Sequence, residues 1–254
     1  PVSPLLDVDS ISVVCLDQKT ILDDPNRLRA MRSGIWNGIA ARALAQTLAD
    51  CDPAQTIVHV HGYAKALSPS IGPVVARSGC PVVFTMHEYF LACPNGGFFN
   101  YQKQEICRLK PLGGACLSTQ CDVRSGAHKA WRTLRGFVAA GPGQLPRAFP
   151  DIVYISETQR SAIAPYLQKG VRLHRVDNPI EPPQSGSVQA AQNRHLMFAG
   201  RLSPEKGCTL LAEAAAKAGM PVRFVGDGPE ADAIRRLNPQ AEITGWVKPQ
   251  EVAA

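Results

Sequence analysis

The feature that most narrows the fold is a recurrence of short apolar runs, rich in β-branched residues, that each give way to a loop and then to a helix-like stretch. "QTIVHVHG" at 55–62, "PVVFTMHE" at 81–88, "DIVYIS" at 151–156 and "VRLHRVDNP" at 171–179 are four such runs. "HLMFAG" at 195–200, "PVRFVGDG" at 221–228 and "AEITGWV" at 241–247 are three more. Near-continuous apolar strands alternating with helices imply parallel sheets covered on both faces. "SISVVCLD" at 10–17 reads as a further strand. "SGIWNGIAARALAQTLAD" at 33–50 spaces Ile35, Ile39, Leu44 and Leu48 as one amphipathic helix. A short helix is expected within 68–79 despite Gly72 and Pro73, and a longer one over 128–140. Ser156 with Gln159 forms a capping box for the helix starting at Glu157. Residues 89–126, rich in Gly, Pro, Asn and Cys, show no periodicity and read as an irregular insertion.

A polar, proline-bearing stretch at 180–194 interrupts the alternation, which then restarts. The expected organisation is an N-terminal α/β domain over 1–183, a linker at 184–194 and the start of a second α/β domain over 195–254. No run of about 18 apolar residues is present. Lys and Arg exceed Asp and Glu by 27 to 21, for a net charge of +6, which favours anionic partners. The charges are dispersed and aromatics make up only 6%, so the interleaved pattern of a single-strand nucleic-acid binder is missing.

Chemistry concentrates in the loop of "AGRLSPEKG" at 199–207, where Arg201 and Lys206 flank a helix start and Gly200 and Gly207 stand beside them. A helix N-terminus offers unpaired N–H groups and a positive partial charge. Arg as a fork and Lys as a point charge can grip a diphosphate there. The plain alternative is a solvated loop with two surface cations. This loop resembles the phosphate-grip signature of the family 4 retaining glycosyltransferases, which have the GT-B fold of two Rossmann-like parallel-sheet domains facing a cleft. "VGDGPE" at 225–230, with Gly226, Asp227 and Gly228, is similar to that family's next donor loop. "HVHG" at 59–62, "VVFTMHEYF" at 82–90 and "VDNPIEP" at 177–182 resemble its other strand ends.

The resemblance implies transfer of a sugar from a UDP-, GDP- or ADP-sugar to an acceptor hydroxyl, on a glycan or lipid-linked precursor, with retention. It implies donor-diphosphate binding by Arg201 and Lys206, a catalytic role for His87, and cleft or acceptor contacts from His61, Gly62, Glu88, Tyr89 and Asn178. It implies no obligatory catalytic metal, and a cytoplasmic place that includes the inner face of the membrane. The family also carries a carboxylate pair that would fall beyond residue 254. The expectation is therefore a chain incomplete at both ends and of low activity by itself.

Two other readings stay open. One is a non-catalytic nucleotide- or metal-binding module. The other is an NAD(P)-dependent enzyme, because Gly226, Gly228 and Ala231 match G-x-G-x-x-A after a strand. His87 itself has the plain alternative of a histidine satisfied by a backbone carbonyl. Cys93, Cys107, Cys116 and Cys121 form C-x13-C-x8-C-x4-C inside the irregular segment. Structural zinc, reduced thiols, disulfide and iron–sulfur are the alternatives, with His87 and His128 as substitute ligands. In the helix at 128–140, Lys129, Arg132 and Arg135 read as a solvated basic side or as a contact for an anionic membrane or lipid pyrophosphate.

Overall fold

The computed structural model describes residues 6–179 and 190–252. It divides into two compact units, Pro1–Asn178 and Pro179–Ala254. The expected linker at 184–194 lies largely outside the described residues.

The first unit opens with helices α1 (Arg27–Ile35) and α2 (Gly38–Ala49), then β1 (Val58–Val60), α3 (Gly72–Arg77) and β2 (Val82–Thr85). The irregular segment follows, holding β3 (Phe99–Asn100), β4 (Glu105–Ile106) and the short α4 (Gly114–Ser118). The chain then forms α5 (Gly126–Ala140), β5 (Asp151–Tyr154), α6 (Glu157–Ile163) and β6 (Arg172–Arg175). Strands pair in the order β1-β2-β5-β6, all parallel, with Val60 opposite Phe84 and Phe84 opposite Ile152. Strands β3 and β4 make a separate antiparallel hairpin.

The core of this unit forms around β2. Phe84, Met86, Phe149, Ile152 and Ile163 are all buried, and the Phe84 and Phe149 rings stack with centroids 4.6 Å apart. Offset aromatic pairs of this kind add about 0.5–1.5 kcal/mol to their area burial.

Two expected elements differ. The helix expected over 33–50 is broken at Trp36–Asn37 into α1 and α2. Asn37 caps α2 by accepting from the Ala40 N–H at 3.1 Å. It is 4% exposed, donates its own N–H to Ser68 Oγ at 2.7 Å, and donates from Nδ2 to the Ala66 carbonyl and Gln18 Oε1. These contacts cross about thirty positions of chain and outweigh the continuous helical pattern. The strand expected at 10–17 is not formed, and Val13 and Val14 are exposed. A β-branched run becomes a strand only against a pairing edge, and among the described residues none pairs with it.

The second unit repeats the alternation in β7 (Leu196–Ala199), α7 (Cys208–Ala218), β8 (Val222–Val225), α8 (Ala231–Leu237), β9 (Glu242–Gly245) and α9 (Pro249–Val252). Its strands are parallel in the order β7-β8-β9. Leu202, Cys208, Ala212, Phe224 and Ile234 form the core between sheet and helices. Helix α7 ends at Gly219 in the left-handed region, where the Met220 N–H reaches the Ala215 carbonyl in a Schellman-type cap. Among the described residues no helix is long and apolar enough to cross a membrane.

Replacing Phe84 by Ala should cost about 3–5 kcal/mol, the range for emptying a buried aromatic site. Urea unfolding of the variant checks this, and a loss under about 1 kcal/mol would be inconsistent with a core built on the Phe84–Phe149 stack.

Candidate functional site

In the first unit the carboxyl ends of β1 and β2 bring three imidazoles together. His59 and His61 lie two apart at the end of β1, with ring centroids 4.2 Å apart. His87 leaves the end of β2, and its ring stacks on His61 at 5.8 Å with an interplanar angle of 22°. His59 Nε2 is 2.7 Å from Thr85 Oγ1, which ties the two strand ends together. His61 is exposed, yet partial desolvation lowers its imidazole from the ordinary value, and the neighbouring His59 and His87 push the same way. His61 is thereby kept neutral in a pH range where a free imidazole takes up a proton.

The backbone that presents His87 is fixed from outside its own strand. The Met86 N–H donates to the Val153 carbonyl at 2.9 Å. Gln159, 5% exposed, donates from Nε2 to the Met86 carbonyl at 2.8 Å, while its Oε1 accepts from the Ile155 N–H at 2.9 Å. Ser156 Oγ accepts from the Gln159 N–H at 3.2 Å. Ser156 therefore caps α6 as expected, but Gln159 takes the Ile155 N–H instead of the Ser156 N–H, so the expected box is only half formed and the glutamine serves the strand end beside His87.

The remaining expected cleft residues have unequal places. Gly62 adopts φ 153° with open space at its Cβ position, so the glycine is required by the backbone turn and leaves room beside His61. Glu88 is partly buried and forms no ion pair or hydrogen bond among the described residues. Tyr89 packs edge-on against Phe98 at 5.1 Å and belongs to the core margin. Burial pushes its phenol up. Asn178 is exposed after β6, on the strand farthest in sheet order from β1.

The four cysteines are not gathered into a ligand set. Cys93 packs into the apolar core, and among the described residues no three His, Cys, Asp or Glu side chains converge on a metal position. The Lys129 ammonium, 5% exposed, donates to Cys121 Sγ at 3.2 Å and Cys116 Sγ at 3.6 Å. A cation placed between two sulfurs repels a divalent metal, so these residues do not fit the zinc expectation. For Lys129, burial pushes the amine down, but the two sulfurs outweigh it and the net direction is up. The segment is instead held by a polar network. Asp122, fully buried, lies 2.9 Å from Arg132 Nε; Arg132 also donates to Asn95, and Asn95 to the Cys121 carbonyl. Nor is α5 a solvated basic face, because Lys129 and Arg135 are both buried.

In the second unit the strand-end loops after β7 and β8 are laid against each other by backbone bonds. Gly200 donates to the Val225 carbonyl and Leu202 to the Asp227 carbonyl, both at 2.9 Å, and Glu230 donates back to the Leu202 carbonyl at 3.1 Å. Gly226 and Gly228 have positive φ, and a Cβ on either would collide with the carbonyl oxygen of Gly200 or Leu202. The family resemblance would make these glycines part of a donor loop. The structure gives them a nearer reason, which is the contact of one loop with the other. Asp227 is exposed, its Oδ1 accepting from the Gly228 N–H at 2.7 Å.

Arg201 and Lys206 stand on this double loop, both exposed. Gly207, at φ 68°, is the N-cap of α7 and supplies no side-chain cap. The partner that sequence reasoning missed is Glu205, whose Oε1 is 2.8 Å from both Arg201 and Ser203 Oγ. Burial raises the Glu205 carboxyl, but its own backbone N–H, Ser203 and Arg201 outweigh it and hold the group low. Lys206 has no ion pair among the described residues. His59, Thr85 and Gln159 were likewise missed as parts of the first cluster; only the H-x-H spacing could have signalled His59.

No family model matches the chain, and no match is found among curated proteins. Among solved structures the chain is similar to TarM, with a TM-score of 0.48 at 12% identity, over 84% of this chain and 37% of that one. It is similar to the lipopolysaccharide outer core galactosyltransferase WaaB in its apo form, with a TM-score of 0.45 at 11% identity, over 90% and 52%. It is also similar to the pneumococcal O-GlcNAc transferase GtfA in complex with UDP and GlcNAc, at 0.46 and 13%, over 82% and 37%. The chain thus spans between 37% and 52% of the length of these three. Likenesses of this degree assign no activity and no residue role here.

Two outcomes are expected from this geometry. The His61 imidazole should titrate below the ordinary value of 6.5, and His87→Gln should move it part of the way back. Because its folded value is depressed, His61 contributes stability that is full above the unfolded value and is lost as pH falls. Proton NMR of the ring resonances reads this directly, and a midpoint at or above 6.5 would contradict the cluster. Gly226→Ala should destabilise the second unit by roughly 2 kcal/mol or more through backbone strain and collision with Gly200. Hydrogen exchange at β7 and β8 locates the loss, and unchanged protection there would contradict the loop contact.

Proposed function

We propose that the chain is the part of a GT-B glycosyltransferase, resembling family 4, that presents a donor-diphosphate grip and a histidine-lined acceptor side. The observation that carries this reading is the Arg201–Lys206 loop set at the uncapped start of α7. Two cations and a helix N-terminus within seven residues form a seat for a diphosphate. The apparent obstacle is the Arg201–Glu205 ion pair, but Arg201's side chain is 62% exposed. A pair so exposed contributes about 0–1 kcal/mol. Charge-assisted hydrogen bonds to phosphate are worth about 1.5–3 kcal/mol each, so the incoming diphosphate displaces Glu205.

In this reading the bond between the sugar's anomeric carbon and the donor phosphate oxygen breaks, the acceptor hydroxyl oxygen bonds to that carbon on the same face, and the hydroxyl proton passes to the departing phosphate oxygen. The departing diphosphate gains negative charge, which Arg201, Lys206 and the α7 N-terminus stabilise. The family resemblance makes His87 a catalytic hydrogen-bond donor. His61, kept neutral, and Gly62 border the acceptor, with Glu88 and Asn178 further contacts. Retention, the absence of an obligatory catalytic metal, a glycan or lipid-linked acceptor and a cytoplasmic place beside the membrane all come from the family resemblance.

Binding tests the donor half without requiring turnover. UDP, GDP and ADP titrated calorimetrically should include at least one ligand for this chain. Arg201→Ala and Lys206→Ala should each weaken it roughly ten- to hundredfold. If none of the three binds, or both variants bind as the parent does, the donor reading fails.

A further inference from the structure

Helix α5 buries a cation that pairs with no anion among the described residues. Arg135 is 5% exposed, with its guanidinium 4.6 Å from the Phe90 ring centre and 5.0 Å from that of Trp131. Its one hydrogen-bond acceptor among the described residues is the Ala64 carbonyl oxygen, at 3.1 Å. Glu88 is near enough to be felt electrostatically but forms no ion pair with it, and the buried Asp122 is committed to Arg132. Burial pushes the guanidinium down to about 10, and Arg132 adds to the effect. A cation taken out of water without a partner is costly, and such a group is characteristically completed by a ligand or a second charge.

Arg135 lines a cavity of about 440 Å³ that lies wholly within the first unit. The volume falls in the range of roughly 300–1,000 Å³ found for small-molecule sites. Leu22, Met31, Phe90 and Trp131 give it apolar walls, and no Asp or Glu lines it. The walls are held in place. Trp131 Nε1 donates to the Met31 carbonyl at 3.1 Å, and a Cβ on Gly34 would strike the Trp131 ring. Of the other cations lining the cavity, Arg27 is taken up by the Ile21 and Asp24 carbonyls and Arg132 by Asp122 and Asn95. Lys65 and Arg124 are exposed and have no ion pair among the described residues.

The charge and the walls select the ligand together. A bare inorganic anion would neutralise Arg135 and leave the apolar walls wet. A neutral hydrocarbon would cover the walls and leave Arg135 unpaired in a still drier place. We propose that this cavity binds one amphiphilic molecule bearing an oxyanion head of the phosphate type, the head against Arg135, Lys65 and Arg124 and the apolar body between Leu22, Met31 and Trp131. The cavity is lined by the loops that follow His61 and His87, since Ala64 and Phe90 each stand three residues after one of them. It draws on the first unit alone, so its occupancy is separable from nucleotide binding at Arg201 and Lys206.

Calorimetric titration of the full chain with dodecyl phosphate below its micelle concentration tests the site. One molecule per chain should bind, at least tenfold tighter than the neutral dodecyl maltoside and at least tenfold tighter than inorganic phosphate. Lys65→Glu and Arg124→Glu, both at exposed positions, should each weaken dodecyl phosphate severalfold without moving the melting temperature. Ala127→Trp, which fills the cavity from an exposed helical position, should abolish binding while leaving nucleoside-diphosphate binding as in the parent. Equal affinity for dodecyl maltoside would reduce the site to an apolar cavity, and equal affinity for inorganic phosphate would reduce it to a surface anion site. Undiminished binding in Ala127→Trp, or no binding of dodecyl phosphate, would overturn it outright. Attachment to phosphatidate vesicles without uptake of monomeric dodecyl phosphate would place the recognition at a membrane surface and overturn the cavity as well.

Discussion

A parallel strand can be joined to its neighbour only by carrying the chain back to the starting end, and this constraint organises both units. Every pairing in the four-stranded and three-stranded sheets is parallel. All the strands of one sheet therefore end along one edge, and side chains leaving those ends meet there. The histidines of β1 and β2 converge for this reason, as do the loops after β7 and β8. Their encounter follows from backbone hydrogen bonding, and no attraction among the imidazoles is needed to explain it.

Three cations on one helix show how strongly surroundings decide the behaviour of a residue type. Lys129, Arg132 and Arg135 follow one another at three-residue intervals along α5. The first faces two thiols, the second a buried carboxylate, and the third two aromatic rings and a carbonyl. Together with Asn95 and Gln102, the middle one ties the irregular segment to the helix, in the place where a metal staple was expected from the cysteines. Cysteine spacing along a chain says nothing about the cation that folding brings between the sulfurs.

What was legible in the sequence was what is local in it. The run at 82–86 is apolar but for Thr85 because both faces of β2 are covered, so composition alone reports its place in a parallel sheet. Arg201, Lys206 and Gly207 share one loop and one helix start, so their juxtaposition could be read directly. Interactions between distant segments could not. Asn37 breaks a helix through partners at Gln18, Ala66 and Ser68, and among the described residues the run at 10–17 has no strand to pair with. Gly226 and Gly228 are glycines on account of carbonyls about two dozen residues earlier, at Gly200 and Leu202. Glu205 was visible beside Arg201, but only its folded position shows that the two side chains meet.

Gln159 joins two parts of the first unit that any working cycle would have to treat as one. Its amide nitrogen holds the carbonyl before His87 and its amide oxygen holds the turn into α6. Shifting α6 against β2 would strand both ends of a buried amide, at about 1–3 kcal/mol for each group left unsatisfied. The helix cannot serve as a hinge for the histidine. Adjustment around a bound molecule is left to the opposite side of the ring stack, where Gly62 turns with empty space beside it. The cluster thus has a strand end held fast just before His87 and an open backbone turn just after His61.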